Sequence, residues 1–135
     1  MDITLQPTET YVAEDRSWLG SRDGTDVTQT VTLDTSTFTE ATHFPDGYIP
    51  SGTVLGRITA TDLWGPYDDD ATDGREVGVG FLYSNTKVRT GGPTVGAPIH
   101  WRGVIRADRL PRLTTETGGL DAAARVDLAA KFWIR

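Results

Sequence analysis

The chain has no cysteine, a single methionine and only two histidines, and its 13 basic residues are outnumbered by 19 acidic ones, for a net charge of -6. Without cysteine there is no disulfide framework, no thiolate metal site and no cysteine nucleophile. Stability then has to come from packing or from association of subunits. The two histidines, His43 and His100, lie far apart and form neither H-x-H nor H-E-x-x-H, so the spacing of a catalytic zinc is missing. The excess of carboxylates argues against general nucleic-acid binding, which depends on Lys and Arg displacing counterions from phosphates. No apolar run is long enough to cross a bilayer, and the opening "MDITLQPTET" lacks a basic stretch followed by an apolar one. These absences lead one to expect a soluble protein made in the cytoplasm, with no affinity for membrane or nucleic acid.

What is present is glycine, threonine and short apolar alternations. A chain of 135 residues fits one domain and can bury about two thirds of its unfolded surface. "DVTQTVTLD", residues 26 to 34, sets Val27, Val31 and Leu33 against Thr28, Thr30 and Thr32, the period of a half-buried strand. "FPDGYIPSGTVLGRITA" supplies two turns and then a strand with Val54, Ile58 and Ala60 on one face. Gly56 lies on that face, which suggests a bulge or a close backbone approach. "EVGVGFLY", residues 76 to 83, is the most regular alternation in the chain. "APIHWRGVIRA" sets Ile99, Trp101 and Ile105 opposite His100, Arg102, Val104 and Arg106, a strand with a basic outer face. One helix is expected at about residues 120–131, where Asp121 can cap and Leu120, Ala124 and Leu128 fall at i, i+4, i+8. Residues 1–24 carry apolar side chains without period and are expected to form an extended arm, leaving residues 25–135 as a mainly β body.

The motifs of catalysis are absent or fail on context. There is no G-x-S-x-G elbow and no G-x-x-x-x-G-K-[ST] loop, and "GVGFLY" lies within a strand pattern and has Tyr83 where a dinucleotide fingerprint needs its third glycine. The acidic stretch "GPYDDDATDGRE" places Asp73 and Gly74 as a calcium loop starting at Asp69 would. Its third position is Ala71, however, and its twelfth is Gly80, so one ligand and the bidentate glutamate are missing. Asp, Gly, Pro and Thr in this order make a solvated turn. A calcium- or carbohydrate-binding β-sandwich remains the alternative function, and an acid-base hydrolase built on the aspartates is a remainder, because nothing in the spacing shows two carboxylates facing each other. No catalytic, metal or cofactor residue is assigned.

Taken together, "SWLGSRDGTDVTQTVTLD", "PDGYIPSGTVLG" followed by "GPYDDDATDGRE", and "GAPIHWRGVIRADRLP" resemble the lambda-type head decoration proteins of tailed bacteriophages, in the form found in phages of actinobacteria. The likeness runs from about residue 17 to residue 111. It implies a non-enzymatic capsid cement protein with a small β-clip or β-tulip body. It further implies a homotrimer on the outer surface of the expanded shell, at threefold and quasi-threefold positions, binding the major capsid protein of the same phage. The family's N-terminal arm adds a strand to a capsid-protein sheet, which assigns capsid binding here to Tyr11, Val12, Trp18 and Leu19. Ordering such a segment costs ~1–2 kcal/mol per residue, which only a partner offsets. Trimer contacts are expected at Trp101, Arg102, Phe132 and Trp133, with Asp69 and Asp73 available to pair with a neighbour's arginines.

Overall fold

The computed structural model describes residues 16–21, 28–111 and 117–135. Their centre is a closed five-stranded barrel. Its first strand, β1 (Gln29–Leu33), follows its sequence pattern, with Val31 and Leu33 buried between exposed threonines. β1 runs antiparallel to β7 (Val95–His100), in register from Gln29 opposite Ile99 to Leu33 opposite Val95. Its other neighbour is β4 (Trp64–Pro66), joined in parallel at Leu33 and Trp64. β3 (Val54–Arg57) pairs antiparallel with β4 and with β5 (Gly80–Leu82), and β5 closes the barrel onto β7.

Two short ladders stand outside the barrel. β2 (Tyr48–Ile49) pairs antiparallel with β6 (Thr86–Lys87), and β8 (Gly103–Ile105) runs parallel to β9 (Phe132–Ile134). α1 (Glu40–His43) is a single turn, held because the Thr39 N–H donates to Nδ1 of the buried His43 at 2.8 Å. α2 (Ala122–Leu128) forms where expected: the Asp121 carboxylate accepts the Ala124 N–H at 2.8 Å, and Leu120, Ala124 and Leu128 all face the core.

The core has two compartments. One gathers Val31, Leu33, Leu55, Leu82, Ala97 and Ile99 from the barrel strands with Phe38, Phe44 and Ile49. The other lies between the barrel, α2 and the β8–β9 ladder, and holds Trp18, Val54, Tyr67, Phe81, Ile105 and Phe132. β3 and β5 are the wall between them. Val54 and Leu55, and likewise Phe81 and Leu82, are adjacent in sequence and all 0% exposed.

This wall corrects several expectations from alternation. A strand covered on both faces has no polar side, so Leu82 is as buried as Phe81. The regular pattern of residues 76–83 yields only three strand residues, and Val77 is 50% exposed. The region before Gly80 departs because Gly78 turns its N–H to the Asp127 carboxylate, at 3.0 Å. The expected strand through Ile99 and Ile105 is two strands, since the chain breaks at Trp101 and Arg102 and Gly103 takes a φ of 137°. Ile99 and Ile105 therefore enter different compartments. His100 is not on a basic outer face. It is 0% exposed, with the rings of Trp18, Tyr83 and Phe132 centred 5.6–6.1 Å away. The close approach expected at Gly56 is present: a Cβ there would lie 2.7 Å from Arg75 Cα, because residues 75–77 cross over β3.

Trp18 is 0% exposed, stacked 5.5 Å from Phe81, and its Nε1–H donates to Ser51 Oγ at 3.1 Å. Truncation of a buried indole costs about 3–5 kcal/mol. Trp18→Ala is therefore expected to lower the unfolding free energy by about that amount in urea titration, whereas a residue on a detached arm would change it by under about 0.5 kcal/mol.

Candidate functional site

Three surface regions hold the residues to which the sequence assigned function. At the N-terminal one, residues 16–21 pack with the body. The Gly20 N–H donates to the Val104 carbonyl at 2.8 Å, the Arg106 N–H donates to the Trp18 carbonyl at 2.7 Å, and Leu19 forms an antiparallel bridge with Ile105. Arg16 clamps the start of this segment: Nε donates to the Tyr83 carbonyl at 3.0 Å, Nη2 to Ser84 Oγ at 3.1 Å, and the guanidinium lies 4.3 Å from the Tyr83 ring centroid. Ser51 completes the anchor by accepting from the Trp18 indole and donating to the Tyr83 carbonyl at 2.8 Å.

Trp18 and Leu19, expected to bind the capsid from an arm, are packed against the body here. The indole is enclosed on every side, and half-buried Leu19 is held against β8. Tyr11 and Val12 lie outside the described residues. Neither Arg16 nor Ser51 could be found by periodicity. The one sequence signal was that an aperiodic segment spends a Trp-Leu pair.

The second region is the outer edge of β9. Gly103 N–H donates to the Lys131 carbonyl, and Arg135 N–H to the Ile105 carbonyl. By the alternation of a parallel ladder, the backbone groups of Phe132 and Ile134 therefore point away from β8. Among the described residues no strand pairs on that side. Phe132 is 4% exposed and belongs to the core, while Trp133, the next residue, is 67% exposed with the Arg135 guanidinium 5.4 Å from its ring centroid. Half-buried Trp101 and exposed Arg102 lead into the same ladder, the guanidinium lying 5.9 Å from the indole centroid. Trp101, Arg102, Phe132 and Trp133, expected together in one contact, lie in or next to the β8–β9 ladder, with Phe132 facing inward.

The third region is the acidic loop, whose carboxylates bond to their own chain. Asp68 accepts the Asp70 N–H at 3.1 Å, closing a turn. Asp73 accepts the backbone N–H of Arg75 and both of its oxygens accept Arg75 Nε, at 3.0–3.2 Å. Tyr67 donates its hydroxyl to the capping carboxylate of Asp121 at 2.9 Å, with Asp69 at 3.4 Å, so the loop is tied to α2. Burial, and then the bond to Asp121, push the Tyr67 phenol well above its usual range. For Asp73, burial favours the neutral acid, but the Arg75 backbone and side-chain hydrogen bonds and its positive charge outweigh that and lower the carboxyl.

A carboxyl lowered by folding stabilises the protein above its unfolded value, which is 3.8 for Asp73, and that contribution disappears as pH falls through the folded value. Asp73→Asn is therefore expected to melt below the wild type at pH 7, with the gap closing as the pH falls below 3.8 and through the folded value. A gap that persists at low pH would mean that the substitution acts by another route.

A scan against protein families matches residues 18–133 to the model described as bacteriophage lambda head decoration protein D. No curated protein matches the chain. The match opens on Trp18, the first core residue among the described ones, and closes on Trp133, the exposed residue of β9. It thus spans the barrel, α2 and both outer ladders, and on that coverage the chain belongs to the bacteriophage lambda head decoration protein family, as a structural component of the capsid surface and not an enzyme.

Proposed function

We propose that the chain acts as a homotrimer that sits at threefold and quasi-threefold positions of the expanded shell and cements neighbouring major capsid proteins of its own phage. Its synthesis would take place in the host cytoplasm. The observation that supports this most is the family match over residues 18–133. Tyr11 and Val12 precede the matched stretch and, in this reading, are apolar residues offered to the capsid protein. Strand addition would give such a segment backbone hydrogen bonds for affinity and Tyr11 and Val12 for register. Many weak contacts of this kind on one shell add through avidity.

The trimer contact in this reading centres on Trp133, flanked by Arg102 and Trp101, because an exposed aromatic beside an open strand edge is the kind of surface that association covers. Phe132 supports it from the core side. Asp73 is already engaged by Arg75 of its own chain, so it and Asp69 would contribute at most at the margin of the contact.

Two measurements test these assignments. Sedimentation of the 14.7 kDa chain is expected to give a trimer for the wild type and a folded, smaller species for Trp133→Glu; a variant that still sediments as a trimer would remove Trp133 from the contact. Deletion of residues 1–15 is expected to leave a folded body that no longer decorates undecorated expanded shells, and undiminished decoration would place capsid binding elsewhere.

A further inference from the structure

His43, one of two histidines in the chain, is 3% exposed and hydrogen-bonded at both ring nitrogens. The Thr39 N–H donates to Nδ1 at 2.8 Å, and since an amide N–H can only donate, Nδ1 carries no proton. Nε2 is then the protonated nitrogen and donates to Thr117 Oγ1 at 2.7 Å. The closed turn therefore admits one neutral tautomer and rejects the imidazolium, in which an Nδ1–H would face the Thr39 N–H.

The local structure depends on that bond. α1 is four residues long and the Thr39 side chain does not cap it, so the turn would not persist alone. It is flanked by Phe38 and Phe44, 5% and 2% exposed and both in the barrel compartment, and the Phe38 ring stands edge-on to the imidazole with centroids 5.5 Å apart. On the other side of the ring, Thr117 precedes Gly118, which is bonded separately to Tyr67 and Val54 at 2.7 and 2.8 Å. His43 thus ties α1 to a loop that the barrel holds by other means. Of the charged groups on the surrounding elements, Glu40 accepts from Thr90 Oγ1, Asp34 accepts from Ser36, and Asp46 is exposed. Arg112 and Glu116, before Thr117, lie outside the described residues.

We propose that His43 is an acid-sensitive latch: protonation at Nδ1 expels the Thr39 N–H, the turn of residues 39–44 opens, and Phe38 and Phe44 are uncovered while the barrel strands stay paired. A histidine that the closed turn holds neutral stabilises that turn fully above its ordinary value of about 6.5, and the contribution is lost progressively as pH falls below it. The latch is independent of the capsid-binding reading.

Amide hydrogen exchange on the full-length chain, corrected for the intrinsic pH dependence of exchange, gives the test at Thr39, His43 and Phe44. Their opening constant is expected to rise about eightfold from about pH 6 to about pH 5, one proton being taken up by the open turn. It should exceed that of the Leu82 amide throughout. In His43→Asn, whose Oδ1 can accept the Thr39 N–H without titrating, the rise should be absent. If that variant does not fold, the wild-type ring decides: its nitrogen resonances should report the Nε2–H tautomer and titrate below about pH 6.5. A ring that titrates at or above that value, as a facing Glu116 carboxylate would cause, would overturn the proposal. So would a pH-independent opening constant, an equal rise in His43→Asn, or amides that open only together with Leu82.

Discussion

The indole of Trp18 touches both layers of the body at once. On one side it stacks on Phe81 of the barrel wall and bonds to Ser51, and on the other it lies beside His100 and in the same compartment as Ile105 and Phe132 of the β8–β9 layer. The backbone around it adds a third line to that ladder, through Gly20 and Val104 and through Arg106 and Trp18. A cysteine-free chain has no covalent staple to hold a two-stranded parallel ladder, which would be marginal in isolation. Here the ladder is held because a large aromatic plugs the space between it and the barrel. The position of β9, and with it the exposure of Trp133, depends on that plug.

The same geometry separates what the body needs for itself from what it can offer. Phe132 and Trp133 are consecutive, yet one is 4% and the other 67% exposed, because strand alternation sends the first to the Trp18 compartment and the second outward. Carboxylates are spent in the same way: Asp73 of the acidic loop on Arg75, and Asp121 and Asp127 of the α2 segment on Tyr67 and Gly78, so the loop crosses β3 as a braced segment. Among the described residues Trp133 is the large aromatic left exposed, and it sits on the open edge of β9.

Much of the fold was legible in sequence where one face of an element meets water. β1 and α2 follow their periods because each has a solvent side, and the Asp121 cap and the crowding at Gly56 were visible as local chemistry. Residues 76–83 and 97–106 were misread for one reason: strands covered on both faces lose their polar partner positions, and a broken pair of strands can imitate one long one. His100 was taken for a surface residue because nothing in an alternating pattern shows that Trp18, eighty-two positions earlier, closes over it. The aromatic and basic character of Trp101, Arg102 and Trp133 was legible. The Arg16 clamp was not, since it depends on a contact with Ser84, 68 residues away.

That residues 16–21 belong to the body, and are not the inner part of a detachable arm, is tested most directly by native-state hydrogen exchange at the Gly20 and Arg106 amides, which close the Trp18 segment onto β8. Both should exchange only through global unfolding, with the same opening free energy as the Leu82 amide in the barrel wall. Exchange at Gly20 and Arg106 that is orders of magnitude faster while Leu82 stays protected would show that the segment opens by itself, and would contradict the account.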